Sequence, residues 1–298
     1  MNKEVFFSID KLCVLGNFKN KENYETFIQY CYQNIRFKPR YITNQFYGNS
    51  FSIEDLGFLQ VDRVSSNFRF EFNPNHIKTD EDKDLVNLIL SYFTNFHFSR
   101  LDIALDLYNY NIYDYNIVDL SPRKKSYFYD RVGKLETCYF GAMGSNKFVR
   151  IYNKAKEQKI DNMDWWRVEL QLRDKNIDIY LEDRKDFLED IYFFKYVSID
   201  EYSTVEKATL EYILHDYSRI NQLAKNQKTK YKKMIRNLKL ESLDFINPIV
   251  QHNCNKVVDY LEYLCPSLYR TYSKSNIFTS EGKFMKAINY DFEIEEEE

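Results

Sequence analysis

Glycine and proline are scarce, with 7 Gly and 5 Pro in 298 residues. A flexible tether or low-complexity spacer is built from those residues, so their shortage excludes two halves on a loose linker. No internal repeat is visible. Cysteine occurs five times, at Cys13, Cys31, Cys138, Cys254 and Cys265, without a CxxC pair. That spacing argues against a disulfide framework and a thiolate zinc site, and predicts buried thiols. No stretch approaches the roughly 18 uncharged apolar residues of a membrane span, and the apolar part of MNKEVFFSIDK is too short for a secretory signal. A cytoplasmic chain with no membrane partner is expected.

What is present is ample apolar material, 44% hydrophobic and 17% aromatic, enough for a substantial core. The net charge of −3 does not advertise a nucleic-acid partner, but the charge is segregated. Between Asn221 and Leu240 stand Lys225, Lys228, Lys230, Lys232, Lys233, Arg236 and Lys239 with no acid, whereas residues 291–298 end in a purely acidic run. A solvated helix face and a phosphate-binding face both fit the basic stretch. Tyr231, Ile235 and Leu238 would give it an apolar seam, so it could dock and still display Lys228, Lys230, Lys232, Lys233, Arg236 and Lys239 to DNA. The acidic end reads as a tail.

Periodicity divides the chain softly near residue 200: residues 1–200 alternate helical and period-two stretches, and 201–290 read as helical. Tyr24, Phe27, Ile28, Cys31 and Ile35 share one helix face, as do Leu85, Leu88, Ile89, Tyr92 and Phe93. Thr79 to Asp82 fits a capping box, as does Ser203 to Glu206. Val257, Leu261 and Leu264 close a last helix before Pro266.

Four stretches share one alternation. In NFRFEFN, Phe68, Phe70 and Phe72 oppose Arg69 and Glu71. In RLDIALDL, Leu101, Ile103, Leu105 and Leu107 oppose Arg100, Asp102, Ala104 and Asp106. In KFVRIYNK, Val149 and Ile151 oppose Phe148, Arg150, Tyr152 and Lys154. In WRVELQLR, Trp166, Val168, Leu170 and Leu172 oppose Arg167, Glu169, Gln171 and Arg173. Successive strand side chains point to opposite faces, so the pattern predicts an α+β fold. Its largely antiparallel sheet has an apolar back covered by helices and a polar front, followed by a helical C-terminal part.

A solvated sheet face with cross-strand Arg–Glu pairs is the plain reading of that front. Three features favour chemistry instead. Acids are poor formers of central strands, yet Glu71, Asp102, Asp106 and Glu169 recur there. Several carboxylates on one face need a cation, and hard ions such as Mg²⁺ or Mn²⁺ prefer such oxygens. Arg150, Lys154 and Arg167 could hold a phosphate beside that ion. A phenol with a pKa of about 10 is a weak nucleophile, so the cations around Tyr152 could favour its phenolate and polarise a phosphodiester. The alternative is that Tyr152 merely packs on the sheet.

The strings FRFEFNPN, FSRLDIALD, YFGAMGSNKFVRIYNK and WWRVELQLRD, in this order and spacing, resemble the replication initiation factor family, the rolling-circle initiators of small staphylococcal plasmids. The likeness spans roughly residues 60 to 240, including KYKKMIRNL; residues 1 to 50 match weakly and those after about 240 hardly at all. It implies metal-dependent nicking and closing of a double-stranded replication origin, with Tyr152 as nucleophile and Glu71, Asp102, Asp106 and Glu169 as the candidate ligands of Mg²⁺ or Mn²⁺. It further implies single-stranded DNA at the nick, a homodimer, and a host helicase and polymerase as partners. On this reading residues 1–200 are catalytic and 201–290 carry origin specificity. Gln171 stands where the family leads one to expect a second glutamate, and Lys147 where it leads one to expect arginine. The histidine-hydrophobe-histidine pair of other rolling-circle nickases is absent: His76, His97, His215 and His252 stand apart and read as structural. Tyr180, Tyr192 and Tyr196 are the rival nucleophiles. A conjugative relaxase with the same chemistry, and a non-catalytic DNA-binding protein, are the alternatives.

Overall fold

The computed structural model describes residues 3–40, 48–62, 64, 66–196, 201–215, 217–238 and 240–264. Lys239, Cys265, Pro266 and the acidic run 291–298 lie outside the described residues. The fold is α+β. The strands are β1 (Glu4–Phe18), β2 (Phe37–Pro39), β3 (Gly48–Ile53), β4 (Gly57–Asp62), β5 (Asn67–Phe72), β6 (Phe93–Tyr108), β7 (Asn116–Asp119), β8 (Lys125–Tyr129), β9 (Leu135–Phe140), β10 (Lys147–Asn153), β11 (Trp165–Leu172), β12 (Ile191–Tyr196) and β13 (Leu240–Ser242). The helices are α1 (Lys21–Gln33), α2 (Asp80–Ser91), α3 (Lys154–Glu157), α4 (Lys175–Asp183), α5 (Thr204–His215), α6 (Lys225–Asn237), α7 (Ile246–His252) and α8 (Cys254–Leu264).

Ten strands form one antiparallel sheet in the order β2-β3-β4-β5-β1-β6-β11-β10-β9-β8. The long pair β1 and β6 is its axis. Val5, Phe7, Ile9, Leu12 and Val14 of β1 and Leu101, Ile103, Leu105 and Leu107 of β6 are all buried. Burial on β1 changes phase between Ile9 and Leu12 because the register slips there: Ile9 faces Ile103 but Lys11 faces Asp102. Asp10 is the extra residue of a β-bulge, a device that re-aims a side chain.

The apolar surface is covered by helices, as the alternation requires. On α1, Phe27 lies 5.8 Å from the Phe18 ring and 5.2 Å from Phe93. The Thr79–Asp82 capping box is present at the start of α2, whose Leu85, Val86, Ile89 and Leu90 are buried. Tyr180 of α4 donates its hydroxyl to the Val250 carbonyl of α7 at 2.8 Å, and Val257, Leu261 and Leu264 of α8 are buried.

The chain forms two compact units, and their limits do not follow one cut near residue 200. Among the described residues, the first takes those within 3–110, 123–187 and 247–264; the second takes those within 111–122 and 188–246. The second holds a three-stranded sheet, β13-β12-β7, and a core of Leu210, Ile213, Ile220, Tyr231, Met234 and Leu238. A single boundary misses this because β7 comes from a segment some 70 residues before β12, and β13, at three residues, is too short to show a period. The basic stretch is helix α6, docked by Tyr231 and Leu238 with Ile235 packed alongside, as its seam predicts.

Candidate functional site

Three adjacent central strands build the polar face. On β10 and β11, Arg150 faces Glu169 and Tyr152 faces Arg167. Arg167 in turn faces Asp106 on β6, Glu169 faces Ala104, and Gln171 faces Asp102. Tyr152, Arg150, Arg167, Glu169, Asp102 and Asp106 therefore share one face. Glu71 lies on that face too, but on β5, with β1 between it and β6.

Lys154 departs from expectation. The strand ends at Asn153, whose side chain accepts from the Lys156 amide and turns the chain into the one-turn helix α3. Lys154 is thus helical, yet its Nζ still lies 3.5 Å from the Tyr152 hydroxyl.

Tyr152 is 4% exposed and surrounded by charge. Its hydroxyl lies 3.4 Å from Glu169 Oε2, and the Arg150 guanidinium sits 4.1 Å from its ring centroid. Burial first, and then the Glu169 carboxylate, push the phenol's pKa up against the pull of Arg150 and Arg167. The cations alone thus leave the phenol protonated, and Glu169 is the group placed to take its proton. Burial, with Asp102 and Asp10 adding repulsion, raises Glu169 above the ordinary glutamate range against Arg150 and Arg167, which makes it a better base. The phenol opens onto a cleft of about 410 Å³ lined by Thr137, Tyr139, Arg150, Lys156 and Glu157 among others. A second, larger cleft of about 720 Å³ is lined by Arg167 and Asp106 and reaches Tyr108, whose ring stacks on Trp165 at 5.2 Å.

The four acids expected to share an ion are each met by side-chain cations. Glu71 accepts from Lys11 at 3.0 Å and Arg69 at 2.8 Å. Asp102 is gripped by Arg100 at 2.8 and 2.5 Å, and Asp106 by Arg167 at 2.7 Å through two nitrogens. With its amide oxygen turned toward Arg100, Gln171 accepts at 2.8 and 2.7 Å. Among the described residues no group of three or more His, Cys, Asp or Glu is placed to hold a metal. Glu169 has the loosest pairing, with Arg150 at 3.7 Å. What fits there is an ion that takes one or two carboxylates and completes its shell with phosphate oxygens and water, as Mg²⁺ commonly does.

Arg167 is the keystone of the network: beyond Asp106 it donates to Asp10 at 3.0 Å, the bulge residue the alternation gave no role. Trp165 Nε1 donates to the same Asp106 at 2.7 Å. Arg167→Lys keeps the charge but loses the planar fork, and should lower unfolding free energy by about 2 kcal/mol, read from the urea midpoint at unchanged slope.

On α6 of the second unit, Lys232, Lys233 and Arg236 are exposed and Lys228 is half-buried. Lys230 is already paired with Glu206 at 2.6 Å, which leaves it less available to a phosphate. Of the rival tyrosines, Tyr180 is fully buried, Tyr192 is 45% exposed in the second unit, and the Tyr196 side chain lies outside the described residues.

Comparison with known proteins covers both units. The profile described as replication initiation factor matches residues 120–239. A replication initiation protein of Staphylococcus aureus is 34% identical over 200 residues, which is 63% of this chain and 62% of that protein. A second from the same organism is 32% identical over 209 residues, 64% of this chain and 63% of the relative, so the chain spans under two thirds of the length of both. A rolling circle replication initiator protein from Geobacillus stearothermophilus is 18% identical, with a TM-score of 0.40 over 57% of this chain and 75% of that one. A third Staphylococcus aureus replication initiation protein is 30% identical over 230 residues, 71% of this chain and 70% of its own length, and with that match the chain belongs to the replication initiation factor family.

Proposed function

We propose that the protein initiates rolling-circle replication by nicking and resealing an origin through a tyrosyl phosphodiester. The observation that carries this reading is the Tyr152 hydroxyl lying 3.4 Å from Glu169 and 3.5 Å from Lys154 on a face shared with Arg150 and Arg167. The phenolic proton passes to Glu169 while the oxygen bonds to phosphorus; the P–O3′ bond breaks and the 3′ oxygen takes up a proton. A 5′-phosphotyrosyl link and a free 3′-OH result. Transesterification conserves the bond energy, so the strand can be resealed without ATP. Arg150, Lys154 and Arg167 stabilise charge on the phosphate. A divalent ion, Mg²⁺ or Mn²⁺, belongs to the proposal, held at Glu169 beside Asp102; when bound it would neutralise further charge on the phosphate.

The free 3′-OH is what a polymerase extends, so a host polymerase and helicase are the proposed partners, with a homodimer as the assembly. Incubation with supercoiled DNA bearing the candidate origin, with and without Mn²⁺, tests the chemistry. Relaxed circles carrying protein on the 5′ end support it. Nicked circles with a protein-free 5′ end would instead identify a hydrolytic nuclease, and no nicking in either condition a DNA-binding protein alone.

The exposed lysines of α6 are proposed to contact backbone phosphates. Neutralising Lys232 and Lys233 to glutamine should weaken duplex binding and flatten the slope of log K against log salt by up to about two units. An unchanged slope returns α6 to a solvated helix face.

A further inference from the structure

The two cations beside the phenol are already engaged by a carboxylate of the same chain. Glu157, the last residue of α3, accepts from Lys154 Nζ through one oxygen and from Arg150 NH2 at 3.3 Å through the other. We propose that the Arg150–Lys154 pair is the seat of a phosphodiester oxygen of single-stranded DNA, and that Glu157 fills this seat until the incoming strand displaces it.

Glu157 is an imperfect fit, which is what a displaceable placeholder needs. A guanidinium binds an anion best through two parallel N–H bonds, yet Glu157 engages only one nitrogen of Arg150, while the buried Arg150 Nε has no acceptor among the described residues. A phosphate offers more acceptor oxygens than a carboxylate and can meet Arg150 and Lys154 together. The Glu157 side chain is 40% exposed and sits on a four-residue helix, so it can swing out without opening the core. The seat also adjoins the 410 Å³ cleft onto which Tyr152 opens. The exchange replaces one anion with another, so neither cation is left bare inside a partly desolvated site.

This inference rests on the reading of the Tyr152 face as the DNA site, but its test is a binding measurement and needs no strand cleavage. In the Tyr152→Phe background, Glu157→Gln should bind a fluorescent oligothymidylate about tenfold more tightly. The slope of log K against log salt should steepen by about one unit, because Arg150 and Lys154 then surrender solution counterions rather than Glu157. Glu136→Gln removes the same charge from the same cleft, but Glu136 pairs with Lys156 at 3.0 Å, so its gain should stay under about twofold. Equal gains from both variants, or none from Glu157→Gln, overturn the proposal. Carboxyl ¹³C titration of glutamate in the Tyr152→Phe protein gives a second reading. In the DNA-free protein burial raises the Glu157 pKa, but hydrogen bonds from Lys154 and Gln158 and the charge of Arg150 outweigh it and hold it low. It should climb toward the ordinary glutamate value when oligothymidylate saturates the site, and an unmoved value overturns the displacement.

Discussion

Tyr152→Phe should abolish nicking, a loss of at least about a thousandfold, while leaving fold and DNA binding in place. The substitution removes one oxygen. The ring stays under the Arg150 guanidinium at 4.1 Å, and the partners of that oxygen, Glu169 at 3.4 Å and Lys154 at 3.5 Å, stand at the long end of hydrogen-bond range. Removing it should change stability by less than about 1 kcal/mol. A thousandfold rate loss corresponds to about 4 kcal/mol of transition-state stabilisation, so weakened structure cannot account for it. Supercoiled DNA relaxation reads the rate, and denaturing gels read the covalent adduct. Wild-type nicking by the phenylalanine variant would show that another nucleophile acts. Tyr180 is a poor substitute, because its hydroxyl is committed to the Val250 carbonyl and burial raises its pKa well above the usual value.

The sheet was legible because an antiparallel strand with one apolar and one polar face writes a period of two into its sequence. Lys154 apart, the four alternating stretches keep their faces, and the capping box at Thr79 marks the start of α2. Pairing was less legible, since a period names a face and not a neighbour. Nothing in RLDIALDL indicates that Arg100 would grip Asp102, or that Asp106 would face Arg167 across a strand boundary. Lys154 looked like the next strand residue because Asn153, which ends the strand by capping α3, is ordinary at either position. One further signal does stand in the sequence. Apolar residues of β1 fall at Val5, Phe7 and Ile9 and then at Leu12 and Val14, and that phase slip marks the bulge that delivers Asp10 to Arg167.

The polar face also shows how a row of acids is held in the ion-free protein. Burying a carboxylate is costly unless a cation meets it, and a protein cation does so as well as an ion. Burial pulls the Glu71 pKa up, but Lys11 and Arg69 outweigh it and hold it below the usual range. For Asp102 burial wins: its pKa is raised despite Arg100, with Asp10 adding repulsion. The electrostatic strain of the face thus gathers at Asp102 and at Glu169, and Glu169 is the one beside the phenol.

Glu169→Gln follows from that placement and should slow nicking by about 10²–10⁴-fold, with a change in the shape of the pH profile. Only the ionised carboxylate can accept the Tyr152 proton, so wild-type rates should rise with pH through the native pKa of Glu169. In the ion-free protein burial first, then Asp102 and Asp10, place that value above an ordinary glutamate against the pull of Arg150 and Arg167. A divalent ion at Glu169 would pull it down, so the limb should move to lower pH as Mn²⁺ is raised. Stability runs the other way. Because the native pKa is raised, the folded chain binds the proton more tightly than the unfolded one, so stability declines as pH rises between the unfolded and folded values. Glutamine cannot ionise, and the variant should lose that decline together with the acid limb of the rate. A Glu169 that merely braces the sheet would alter stability and leave the limb in place. Rate profiles and urea midpoints measured over the same pH range separate the two, and a variant that kept the wild-type limb would remove Glu169 from the proton's path.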